Sequence, residues 1–134
     1  MILVVGGSGR KVGKTTVACE IIAATREANW TAIKITPHAH ERSVHGDTER
    51  YVEAGAATAV LVGGNEALEL PGGNTLIESN SILDLIEPDL LVFVDGGGEW
   101  KCSASRAAGK AQYVVNGHAT PELIERVQEL IRTR

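Results

Sequence analysis

The chain reads as a single α/β domain over residues 1–134, a three-layer arrangement of a mainly parallel sheet of about five strands with helices on both faces. Three observations predict this. Apolar runs such as residues 2–5 and 90–94 are unbroken rather than alternating, as in strands buried on both faces. Segments of helical periodicity alternate with these runs along the chain. The 15 glycines cluster at 6–7, 63–64, 72–73 and 96–98, where strands should end in turns. The length suits one compact core that needs no disulfide or metal staple.

Residues 2–5 make the first strand, and a glycine-rich loop follows. Residues 15–28 carry Val17, Ala18, Ile21, Ile22 and Ala24 at helical spacing. Residues 30–35 read as a second strand. Residues 36–46 are polar, hold Pro37 and three histidines, and read as a loop. Residues 47–54 suit a short helix, with Asp47 near its N-terminus where negative charge is favoured. Residues 59–62 form the third strand, ended by Gly63-Gly64, and 65–73 read as irregular or a hairpin. Residues 74–87 hold Leu76, Ile77, Ile82, Leu83, Leu85 and Ile86, a helical pattern stopped by Pro88. Residues 90–94 are the fourth strand, 99–110 fit a helix or a loop, and 113–115 are the fifth strand. Thr120-Pro121 announces the last helix, with an N-cap hydroxyl and proline at the first helical position. Its apolar side is Leu123, Ile124, Val127, Leu130 and Ile131.

Composition narrows the function. Aromatic residues make up 4% of the chain, so Ala, Val, Ile and Leu must fill most of the interior. Thirteen basic and 17 acidic side chains give a net charge of −4, which lacks the basic footprint of a nucleic-acid binder. Cys19 and Cys102 have no zinc-type spacing and read as core thiols. The apolar start MILVV is too short for a signal peptide or a membrane span, and no other stretch is long enough. A soluble, cytoplasmic protein without membrane or nucleic-acid partners is expected.

The chemistry concentrates in VVGGSGRKVGKTT, residues 4–16, which follows a buried strand and opens a helix. Glycines let such a loop turn its backbone N–H groups toward phosphate oxygens, and the helix N-terminus adds its positive end. This is the pattern of a P-loop, so a P-loop NTPase fold is expected. Gly7, Ser8, Gly9, Gly13, Lys14, Thr15 and Thr16 would bind the nucleotide, Lys14 neutralising the β- and γ-phosphates and Thr15 ligating Mg²⁺. The standard spacing wants glycine where Ser8 stands, so either Ser8 takes its place or the loop is one residue longer. Arg10 and Lys11 could touch phosphate or simply be solvated.

A carboxylate at the end of another apolar strand should complete the metal site, and LLVFVDGGG supplies Asp95. That aspartate could otherwise cap the turn after it. Asp47 is a second candidate, positioning water or completing the magnesium shell, so Lys14, Asp47 and Asp95 are the expected catalytic groups. His38 and His40 lie on one side of an extended chain and could ligate a metal or be exposed. Asn116 follows the fifth strand, where its amide could read the base; it could equally form an Asn-Gly turn.

Together VGGSGRKVGKTT, AIKITPH, DTERYVEAGA and LLVFVDGG resemble the molybdopterin-guanine dinucleotide biosynthesis accessory protein (MobB) family. That family pairs a P-loop with an IKH-type strand end, a histidine-containing loop, a D-S-x-R segment followed by A-G-A, and an acidic strand end. By position, Lys34 matches the strand-end lysine and His38 a loop histidine. Asp47, Thr48 and Arg50 match D-S-x-R, and Ala54-Gly55-Ala56 matches A-G-A. The resemblance spans about residues 2–98. Ile35 sits where a histidine is usual, and Asp95 where the family commonly has glutamate. Membership would imply GTP binding, slow Mg²⁺-dependent hydrolysis, a homodimer, and delivery of nucleotide to a molybdopterin guanylyltransferase. No N-K-x-D guanine signature is present, so ATP stays open beside GTP. The residues alone also admit an ATP-dependent small-molecule kinase, or a module that binds nucleotide as a switch and hydrolyses nothing.

Overall fold

The computed structural model describes residues 1–9, 12–36, 45–63, 68–97 and 102–133. Their order is β1 (Ile2–Gly7), α1 (Lys14–Ala24), β2 (Thr31–Thr36), α2 (His45–Ala54), β3 (Thr58–Gly63), β4 (Thr75–Glu78), β5 (Leu90–Val94), α3 (Cys102–Lys110), β6 (Tyr113–Val115) and α4 (Pro121–Arg132). Short 3₁₀ turns lie at Arg26–Ala28 and Ser81–Asp84. Among the described residues the sheet has six strands in the order β3-β2-β4-β1-β5-β6. Every pairing is parallel, which makes this an α/β architecture.

Pleat alternation sorts the strands' side chains onto two faces. Leu3 and Val5 of β1, Ala32 of β2, Leu76 of β4, and Leu90, Val92 and Val94 of β5 face α1, α2 and α4. Val4, Ile33, Ile77 and Leu91 face the other way, toward Ile82 of the 3₁₀ turn. Phe93 meets Ala104 and Ala107 of α3 on that same side. Trp30 is fully buried among the first set. Its indole N–H donates to Thr25 Oγ1 at 2.9 Å, and the Thr25 hydroxyl donates to the Ile21 carbonyl at 2.6 Å.

Two expectations change. The sheet gains a strand, β4, inside the segment 74–87 that reads as one helix. TLIE is buried at all four positions because β4 lies between β1 and β2, and a continuous apolar run does not by itself distinguish strand from helix. The rest of that segment supplies only the 3₁₀ turn at 81–84: Ser79 bonds the Ser81 hydroxyl and the Ile82 N–H locally, while Asn80 is tied to the distant Gly7. Residues 102–110 are helical. The Thr120 cap forms as its chemistry requires, accepting the Leu123 N–H at 3.2 Å. No helix among the described residues is long and apolar enough to cross a membrane.

The order of connections reverses within the sheet. From β1 the chain moves through α1 to β2 and β3, then returns so that β4 inserts between β2 and β1, and continues to β5 and β6 on the other side. Such a reversal opens a crevice at the carboxyl ends of the central strands.

Candidate functional site

The glycine-rich loop leaves β1 at that crevice and enters α1 through Gly13, which caps the helix at φ 101° and ψ 15° with no side-chain cap. This left-handed backbone favours a residue without a β-carbon. Space imposes the same choice, because a Cβ at Gly13 would lie 2.8 Å from Cα of Gly117. The turn after β6 thus packs directly on the start of α1. Glu20 of α1 fastens that turn by accepting the Ala119 N–H at 3.0 Å. Asn116 is exposed at the head of the turn.

At the other end of the loop, Asn80 brackets the backbone of one residue. Its Oδ1 accepts the Gly7 N–H at 2.9 Å, and its Nδ2 donates to the Gly7 carbonyl at 2.8 Å. Ser8 is buried and adopts no left-handed geometry; among the described non-glycine residues only Asn29 has positive φ. Ser8 N–H donates to the Val94 carbonyl at 3.0 Å, and its Oγ accepts the Gly96 N–H at 2.8 Å. A serine therefore fills the glycine position without strain and ties the loop to the end of β5. Lys14 opens α1, and its side chain crosses Gly7 closely enough that a Cβ there would lie 2.7 Å from Lys14 Cγ and Cδ. Gly9 is exposed.

Thr15, the second residue of α1, donates its hydroxyl to Glu78 Oε1 at 2.8 Å. Glu78 ends β4 and is 3% exposed. The same Oε1 accepts the Tyr51 hydroxyl from α2, and Oε2 pairs with Lys34 Nζ at 3.1 Å. Lys34 stands opposite Glu78 in the β2–β4 register and also pairs with Asp47 of α2. Arg50 of α2 donates to Thr16 Oγ1 at 3.2 Å. Four elements, α1, α2, β2 and β4, thus converge on one buried carboxylate or its immediate partners.

Burial shifts the groups around it. It tends to lower the Lys34 pKa, but the Glu78 charge and the bonds to Asp47 and Glu78 outweigh it, and the ammonium ends above its ordinary value. Burial and the Glu78 charge both push the Tyr51 phenol well above the usual range. Burial is also the largest influence raising the Cys19 thiol, which keeps it protonated.

The residues expected from the sequence divide accordingly. Gly7 and Ser8 lie at the end of β1, and Gly13, Lys14, Thr15 and Thr16 at the start of α1, with the Lys14 side chain packed over Gly7. Among the described residues Asp47 is linked to Thr15 through Lys34 and Glu78. Asp95 accepts the Gly97 N–H at 2.9 Å, capping its own turn. The acid against Thr15 is Glu78, and pleat parity explains why. Glu78 shares its face with Leu76, toward α1, whereas Asp95 continues the alternation of Leu91 and Phe93, which face away. Register adds to this, since Glu78 is level with Val5 while Val94 is already level with Gly7. Arg10, Lys11, His38 and His40 lie outside the described residues.

Glu78, Tyr51 and Asn80 escape a reading of the sequence. The available signal was an acid ending a short apolar run, TLIE, directly before the turn-forming Ser-Asn-Ser. Against family models, curated proteins and solved structures alike, the chain has no match.

The donor set around Thr15 fits Mg²⁺. A hydroxyl and a carboxylate are hard oxygen donors, and this ion is usually held by one or two carboxylates together with substrate phosphates. No cluster of three His, Cys, Asp or Glu able to hold a metal by itself occurs among the described residues. Because Thr15 gives its proton to Glu78, its oxygen lone pairs are left for a cation.

Proposed function

We propose that this chain is a MobB-like P-loop protein that binds GTP with Mg²⁺, hydrolyses it slowly, and serves guanylylation of the molybdenum cofactor. The observation that carries the nucleotide part is the Thr15–Glu78 hydrogen bond beside a left-handed Gly13 at the start of α1. In this reading the amides at the loop and helix start bind phosphate oxygens, aided by the helix dipole. Lys14 pairs with the β- and γ-phosphates. Thr15 and Glu78 hold Mg²⁺, whose charge offsets that of the triphosphate. Slow turnover is supported by Lys34, which pairs with both Glu78 and Asp47 and leaves neither poised as a general base. The choice of GTP and of a guanylyltransferase partner rests on the resemblance.

Calorimetric titration with GTP, and separately ATP, in magnesium buffer tests this directly. GTP should bind more tightly than ATP, and Lys14→Ala should abolish binding. Glu78→Gln should raise the Mg²⁺ needed for half-maximal binding by about tenfold or more, while Asp95→Asn should leave it within about twofold. Unchanged binding by Lys14→Ala would sink the nucleotide reading. The reverse ranking of the two acid variants would return the metal role to Asp95.

A further inference from the structure

Glu78 presents its two oxygens to partners of very different stiffness. Oε2 faces Lys34, whose four-carbon stem reaches from β2 and whose ammonium is shared with Asp47. Oε1 faces Thr15 and Tyr51. Keeping Oε1 on Thr15 while Oε2 pairs with Lys34 calls for a rigid partner that fixes the orientation of the carboxylate. Tyr51 is built for that. Its ring is wholly buried against the α1 side of the sheet, it has only two side-chain torsions, and its hydroxyl lands on the same oxygen that Thr15 uses.

We propose that Tyr51 is a positioning residue for the metal site: its hydroxyl orients the Glu78 carboxylate against Thr15 and so sets the Mg²⁺ concentration at which nucleotide binds. The proposal rests on the reading of Thr15 and Glu78 as the Mg²⁺ pair and adds a residue that the sequence did not mark. Partners that orient a metal-binding group commonly change metal affinity about 10–100-fold when removed, though they never touch the ion. Burial and the charge of Glu78 hold the phenol protonated, so it remains a donor across the ordinary pH range. Tyr51 also sits on α2, between Arg50, which bonds Thr16, and the helix end at Ala54. Any displacement of α2 would therefore be felt at the metal carboxylate.

The test compares the wild-type chain with Tyr51→Phe, which keeps the buried ring and removes only the hydroxyl. Nucleotide binding is titrated against Mg²⁺, with affinity in EDTA and the melting temperature measured alongside. The Mg²⁺ midpoint should rise about tenfold or more while affinity in EDTA stays unchanged. An unchanged midpoint, with or without a lower melting temperature, overturns the proposal and leaves Tyr51 a core residue. Wild-type binding that ignores Mg²⁺ instead refutes the underlying metal reading. Should Tyr51→Phe fail to fold, 3-fluorotyrosine placed at the two tyrosines of the native sequence decides the matter, with Tyr113→Phe assigning the resonances. Adding Mg²⁺ to the nucleotide complex should move the Tyr51 fluorine signal; a signal that stays in place overturns the proposal.

Discussion

Replacing Gly13 by alanine isolates the backbone requirement at the start of α1. The perturbation has two parts. At φ 101° a β-carbon meets the neighbouring backbone within the residue itself, which costs about 1–2 kcal/mol. The new methyl would also lie 2.8 Å from Cα and 2.9 Å from the carbonyl oxygen of Gly117. Both are backbone atoms of a turn anchored through Ala119 to Glu20, so no flexible side chain can yield. Together these give a destabilisation of roughly 2–4 kcal/mol. Each kcal/mol corresponds to about 4 °C in a domain of this size, so Gly13→Ala should melt roughly 8–16 °C below the wild type. Gly9→Ala is the internal control, because a β-carbon there meets nothing within 4 Å. It should stay within about 0.5 kcal/mol of the wild type. Thermal unfolding followed by circular dichroism, without nucleotide, reads both variants free of any effect on ligand binding. If the two variants melt together, the Gly13–Gly117 contact is not the constraint argued for, and the loop adapts freely.

Two further outcomes follow from buried polar groups. Thr25→Val leaves the Trp30 indole N–H without its acceptor in a fully buried site, and should destabilise the chain by about 1–3 kcal/mol in chemical denaturation. Adding Trp30→Ala should then show strong non-additivity, and simple additivity would mean that the hydrogen bond is irrelevant. Lys34 and Tyr51 both hold protons more tightly when folded than when unfolded. Their stabilisation is complete below the unfolded-state values of about 10 and is lost as pH rises above them, by ~1.4 kcal/mol per pH unit for each group. Cys19, raised in the same way, adds a loss that begins near pH 9, so stability measured by urea titration should be flat near pH 7–8 and fall most steeply above about pH 10, with a shallower fall in Tyr51→Phe. An alkaline limb unaffected by that substitution refutes the assignment.

Most of the sheet was legible because unbroken apolar runs such as ILVV and LLVFV have few alternatives in a parallel fold. The glycine-rich loop and the α4 start were legible for a different reason: Gly13, Lys14, Thr15 and Thr120-Pro121 encode local chemistry that does not wait for tertiary contacts. β4 was not legible. Its four residues are buried only because β1 and β2 enclose them, and the apolar residues after Asn80 continue the run at spacings that imitate a helix. With β4 hidden, Glu78 had no strand to end, and Asp95 was left as the acid closing an obvious one.

The charged cluster at the carboxyl edge is easier to explain by binding than by stability. Withdrawing the Glu78 carboxylate from water is costly, and its attraction to Lys34 offsets that cost only when its hydrogen-bonding sites are well filled. Here they are filled by Thr15, Tyr51 and Lys34, drawn from α1, α2 and β2. A hydrophobic side chain of similar size would meet the same neighbouring strands at less expense, since replacing a buried ion pair by apolar groups is often neutral or stabilising. β4 runs Leu76, Ile77, Glu78, so the acid appears only at the residue where the strand reaches the crevice beside the glycine-rich loop. One position earlier would turn it to the opposite face. Two positions earlier would bury it beneath α1, away from Thr15. The carboxylate thus occupies the single position of β4 that is both on the α1 face and at the carboxyl edge, which is the placement the proposed metal role requires.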